Sequence, residues 1–156
     1  MRVYVVALAL MSAACARTGS GVLTGMDATV TNDVPTVARV ARAQLQSHGY
    51  TVTTITPGIL VTLPRPITAA LHEAGDTAAV VGRQWILQVS ATDPRFSRGT
   101  HLRVAAYIVP PGSSKASGDN IDNGKRGIPV TSANRPLFNE VRQVTRWITD
   151  AVDRIR

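Results

Sequence analysis

Residues able to do covalent or metal chemistry are few in this 156-residue chain. Cys15 is the only thiol, and His48, His72 and His101 are the only imidazoles. His72-Glu73 begins like a zinc-protease helix, but that pattern needs a second His four places after the first, and Asp76 stands there. Asp119 to Gly124 begins like a calcium loop, yet Ile121 takes a ligand position and Val130 stands where the bidentate Glu belongs. The histidines are widely spaced, with no cysteine or paired carboxylates near them, so each reads as a surface or helix-end residue. No elbow motif marks a nucleophilic serine. Gly19-Ser20-Gly21 leads into no strand-to-helix phosphate loop. The sequence therefore assigns no catalytic, cofactor-binding or metal-binding residue and reads as a protein that is not an enzyme.

Cys15 remains, and its surroundings are informative. Met1 and Arg2 are followed by an apolar run from Val3 to Met11 and then by Ser12, Ala13 and Ala14. That is the three-part layout of a secretory signal over residues 1–14. The run is about half the ~20 residues that a membrane-spanning helix needs. Small residues ending directly at Cys15 resemble the lipobox of bacterial lipoproteins, with Ser12 standing where that family most often has an aliphatic residue. The resemblance implies cleavage before Cys15 and lipidation of its thiol, with two or more acyl chains holding the protein at a membrane. Competing readings are an ordinary signal peptide and an incidental thiol. With one cysteine no internal disulfide can form, so the fold must rest on its core.

The formal net charge is +7, and of the 17 basic residues only two are lysines. The arginines are scattered, which suits contact with anionic headgroups or polymers. No zinc spacing, aromatic-interleaved basic strand or basic recognition helix points to nucleic acid. An apolar content of 44% is enough for a real core.

Stepping along the chain, residues 15–31 read as the lipidated cysteine and a Gly/Thr/Ser-rich tether, part of which, Val22 to Val30, could add an edge strand. A single domain is expected over 32–156. Its first helix is announced by Asn32 or Asp33 as cap and Pro35 in the first turn, carries Val37, Val40, Ala41 and Leu45 on one face, and stops at Gly49. Two strands, Tyr50 to Thr56 and Ile59 to Leu63, flank a Pro57-Gly58 turn, and Pro64 and Pro66 end the second. Residues 67–81 suggest a short helix closed by Gly75. Trp85, Leu87, Val89 and Ala91 alternate on one strand, and Leu102, Val104, Ala106 and Ile108 on its expected partner, with Phe96 an exposed aromatic between them. Residues 110–132 read as a flexible loop. The last helix is capped by Asn134, has Pro136 in its first turn and carries a stripe of Leu137, Val141, Val144, Ile148, Val152 and Ile155. Arg135, Arg142 and Arg146 form a solvated face, on which Arg146 can pair with Asp150.

This order predicts an α+β domain: a two-layer sandwich in which an antiparallel sheet of four to five strands is covered by an N-terminal and a C-terminal helix. The stretches "VARVARAQLQSHGYTVTTITPGILVTL", "RQWILQVSA" and "HLRVAAYIV", with the terminal helix, resemble the helix-grip modules of BamC-type envelope lipoproteins. The resemblance implies a non-enzymatic interaction or assembly module with an envelope protein partner. Ala16 in place of an inner-membrane-retaining Asp implies the periplasmic face of the outer membrane. The alternative is a periplasmic carrier holding a lipid or other apolar ligand between helix and sheet. An apolar cavity under the C-terminal helix would mark the carrier, a clustered polar pocket an enzyme, and a filled core with a flat or grooved surface the interaction module.

Cys15→Ser should move the protein out of the membrane fraction and abolish incorporation of labelled fatty acid; unchanged partitioning and labelling would refute lipidation at this position.

Overall fold

The computed structural model describes residues 22–68, 82–94, 98–110 and 127–155. The expectations for Cys15, His72, Phe96, the helix closed by Gly75 and the Asp119–Gly124 segment lie outside the described residues.

Alternating β-branched and apolar residues build seven strands: β1 Met26–Val30, β2 Val52–Thr56, β3 Ile59–Thr62, β4 Arg65–Pro66, β5 Gln84–Thr92, β6 Thr100–Val109 and β7 Ile128–Pro129. Two helices, α1 Val34–Ser47 and α2 Arg135–Asp153, complete the described elements. The protein is α+β, and every strand pairing is antiparallel. The order is β1-β6-β5-β3-β2, with β4 also pairing β5 and β7 also pairing β6. Seven strands replace the expected four to five, because proline interrupts pairing without ending it. After β3, Pro64 breaks the ladder and β4 resumes it, with Arg65 opposite Trp85 and Pro66 opposite Gln84. The Thr62 hydroxyl bridges the gap by accepting a 2.9 Å hydrogen bond from the Leu87 amide. Pro66 and Pro129 both sit on edge strands, where a missing N–H does least harm.

Local signals placed the helices well. The Asp33 carboxylate accepts from the Thr36 amide at 3.2 Å, and Asn134 caps α2 by accepting from Leu137 at 3.3 Å. Gly58, at φ +95°, closes the β2–β3 turn. A Cβ there would lie 2.5 Å from the Ala91 carbonyl, so the position demands glycine for conformation and for space.

The main core joins Val37, Val40, Ala41 and Leu45 of α1 to Leu137, Val141, Val144, Ile148 and Val152 of α2, together with Trp85, Leu87, Val89, Leu102, Val104 and Ala106 from the central strands. On β5 the residue between two core positions, Ile86, is also buried. It packs with Val61 and Val109 in a smaller, separate cluster that simple alternation did not reveal.

Three expectations change. Ile155 lies past the end of α2 and is 52% exposed, so the buried stripe ends at Val152. Among the described residues Arg146 and Asp150 form no ion pair. The edge strand expected within Val22 to Val30 is β1, which pairs with β6, and just before it the Leu23 carbonyl accepts from the Ser132 amide at 2.8 Å. The end of the 110–132 stretch is structural too, since Val130 is buried and its amide donates to the Ala106 carbonyl at 2.8 Å.

Ile148→Ala should lower unfolding free energy by about 2–5 kcal/mol, whereas Arg146→Ala should stay within about 0.5 kcal/mol of the parent. Urea unfolding of both variants checks this, and an unaffected midpoint for Ile148→Ala would show that α2 does not close the core.

Candidate functional site

Where α1 ends, its last turn meets the middle of α2 in a cluster of aromatic and charged side chains. The Tyr50 hydroxyl donates to Glu140 Oε2 at 3.2 Å. Arg65 stacks its guanidinium 3.8 Å from the centre of the Tyr50 ring and donates to the Gly49 carbonyl. Trp85 meets the same ring edge-on, centroids 6.3 Å apart, and its buried indole N–H has no acceptor among the described residues. Beside them His48 lies flat on Trp147, with centroids 3.5 Å apart and planes 12° from parallel. His48 Nδ1 is 2.8 Å from the Gln44 carbonyl. A carbonyl only accepts, so Nδ1 carries the proton.

Burial, reinforced by the negative charge of Glu140, pushes the Tyr50 hydroxyl up to about 12, against a smaller opposing effect of Arg65. The phenol is therefore neutral over the ordinary pH range and acts as a hydrogen-bond donor. Its partner is a carboxylate at a helix junction, and the cluster fastens α1, β4 and α2 together. His101 is engaged at the far edge of the sheet, its Nε2 3.3 Å from Asp27, which also receives two bonds from Arg103 Nη1 at 3.0 and 3.2 Å. All three side chains are solvent-exposed enough that this network contributes little stability.

A second feature has the form of a binding surface. Between the first three turns of α1 and the β2–β3 hairpin runs a groove of about 300 Å³. Val34, Pro35 and Ala38 make the helical wall, and Leu60, Thr54 and the Pro57-Gly58 turn make the floor and far end. Arg39 and Arg42 stand at its rim, and neither forms a salt bridge among the described residues. Arg39 adds a weak electrostatic pull to the Thr36 hydrogen bond that chiefly holds the Asp33 carboxyl below its usual range. A third depression, about 420 Å³, lies between Leu23, Met26 and the first turns of α2, with Arg135, Phe138 and Arg142 in its wall.

Among the described residues no group of three or more His, Cys, Asp and Glu side chains could hold a metal ion. No described helix is long and apolar enough to cross a membrane. The histidines expected at surfaces and helix ends are so placed for His48 and His101. Glu140 and Trp147, missed in the sequence, lie seven residues apart on one flank of the apolar stripe, a spacing that exposed residues of α2 share and that therefore does not single them out. The groove was marked by Val34, Ala38 and Arg42 at successive steps of four, a small residue between a bulky one and a cation.

No protein-family model matches this chain, and no curated protein matches it.

A group whose folded pKa is raised stabilises the fold fully below its unfolded value and loses that contribution as pH rises through the folded one. Unfolding free energy should therefore fall between pH about 10 and about 12 through Tyr50, and Tyr50→Phe should remove that component. Ultraviolet phenolate titration should show a late-ionising tyrosine that is absent from Tyr50→Phe; if that late transition survives the substitution, the assignment fails.

Proposed function

We propose that this protein is a lipid-anchored component of a bacterial cell envelope, attached through Cys15 on the periplasmic face of the outer membrane, and that it acts as a non-enzymatic interaction or assembly module for an envelope protein partner. We read its fold as a two-layer sandwich of the helix-grip type, with α1 and α2 on one sheet face. The observation that carries this reading is the contrast between a filled interior and a grooved exterior. Val141, Val144, Ile148 and Val152 are each 0% exposed, so the space under α2 is occupied by side chains of the protein itself. A concave apolar surface lies instead on the outside, in the open groove between α1 and the β2–β3 hairpin. Buried interior contacts fix one shape, and the groove offers that shape to something outside.

The chain's route to its anchor fits the same reading. Only the residues between Cys15 and Val22 separate the lipid site from the first described residue, a span of at most about 25 Å when extended. Val22 and Leu23 are exposed there, and Arg135 and Arg142 of α2 stand close to Leu23. Basic and apolar groups together suit an anionic headgroup layer, so this end of the domain is the one that faces the membrane.

The carrier alternative draws on the same groove and differs in what fills it. Blue-native electrophoresis and native mass spectrometry of protein purified from membranes separate the two. The assembly reading expects a discrete higher-mass protein complex and no stoichiometric lipid beyond covalent acyl chains. One non-covalent lipid per chain with no protein complex would replace it with the carrier.

A further inference from the structure

The groove on α1 borders the outer edge of β2, which among the described residues has no strand beside it. In the order β1-β6-β5-β3-β2, β2 is terminal, and among the described residues it pairs only with β3. Exposed edges are normally blunted by charge, proline or a covering element. The opposite edge follows that rule: β1 carries Asp27 paired with Arg103, and β7 contains proline, as does the short β4 beside β3. By contrast β2 reads Val52-Thr53-Thr54-Ile55-Thr56, uncharged and without proline, and its one irregularity is a register shift between Thr54 and Thr56, next to the turn. An unblunted edge beside an apolar groove and two arginines that form no salt bridge among the described residues is the arrangement by which a folded domain takes up an extended peptide as an added strand.

We infer that β2 and the α1 groove bind an extended segment of a partner protein in which an apolar side chain is followed at alternate positions by acidic ones. Backbone groups of the segment pair with the outer edge of β2. Side chains on the helix-facing side of the segment then lie over the groove at every second residue, spaced by about 6.6–6.8 Å. One apolar side chain enters beside Ala38 and Leu60, and a groove of about 300 Å³ is the size for one or two such groups. The following carboxylates meet Arg39 and Arg42, whose i, i+3 placement spaces them by about 5–6 Å, close to the peptide's own repeat. A second copy of this chain is a poor occupant, because pairing β2 with β2 brings the same arginines toward one another. The chain's own segment 16–21 contains no acid and one arginine, so it lacks the complementary charge.

This inference rests on the reading of the protein as an interaction module, and its test is chosen to stand apart from the lipid anchor. The full chain is used, in phosphatidylcholine nanodiscs if it purifies with membranes and in buffer if it does not. The probes are labelled heptapeptides alternating Val, Leu, Ile or Phe with Asp or Glu, read by fluorescence anisotropy at low and high salt. Expected are saturable binding by at least one peptide, a loss of about tenfold or more in the Arg39→Glu, Arg42→Glu double variant, weakening by salt, and loss on N-methylation of alternate peptide amides. Ala38→Trp, which fills the groove, should also abolish binding while circular dichroism reports an intact fold. Binding by none of the peptides overturns the inference, as does binding that survives N-methylation. Tighter uptake of dodecanoate at the same arginines also overturns it, in favour of an anionic amphiphile. If peptides fail while a native complex persists, this inference falls alone; if peptides bind and no complex exists, the assembly reading falls and the strand-addition site stands.

Discussion

Every other element of this fold hangs on the ladder between β5 and β6. The two strands pair without a break from Gln84 opposite Val109 to Thr92 opposite His101. One face of that ribbon presents Trp85, Leu87, Val89 and Ala91 beside Leu102, Val104 and Ala106, all nearly or fully buried. A two-stranded ribbon is marginal alone in water, so its stability depends on covering this face. The buried faces of α1 and α2 join the same cluster. β1 and β7 attach along one side of the ribbon, β3 and β4 along the other. Remove the apolar face of the ribbon and neither helix has a surface to close on.

The two surface features differ in physical character because they lie on different parts of this frame. At the junction of α1 and α2, polar groups are driven inward, and their cost is offset by pairing: Tyr50 with Glu140, Arg65 with the Tyr50 ring and the Gly49 carbonyl. Such a cluster holds two helices in register. In the groove the reverse holds, with apolar side chains accessible and two arginines outside any salt bridge among the described residues, which suits a surface completed by something else. One feature fastens the domain, and the other leaves part of it unfinished.

Much of the fold was legible in the sequence because it is set by local rules. Asp33 with Pro35, and Asn134 with Pro136, define helix starts within the chain itself. The alternation in β5 and β6 gave the central pair and its buried face. What escaped reading depends on partners distant in the chain. β4 and β7 are two residues each, too short for any periodicity, and exist because β5 and β6 offer free edges beside them. Ile86 is buried only because Val61 and Val109 meet it on the second sheet face. The Tyr50–Glu140 contact joins residues 90 apart, and no local pattern names such a pair. Val130 looked like loop because its neighbours are turn formers, yet the position it reaches beside Ala106 is fully enclosed.

The sheet order also constrains when the molecule can become itself. β1 and α1 follow one another in the chain, but β1 finds its partner only in β6, Met26 facing Val104 and Val30 facing Thr100. The loop that must close therefore takes in nearly half of the chain, and such closures slow folding relative to local contacts. During vectorial emergence from an amino terminus, β1 has no strand to pair with until Thr100 to Val104 has followed it out. Until that moment the hairpin of β2 and β3 and the helix α1 can form locally while the first strand waits unpaired. Completion of the sheet is thus a late, near-simultaneous event in the life of the chain, a form of timing written into connectivity.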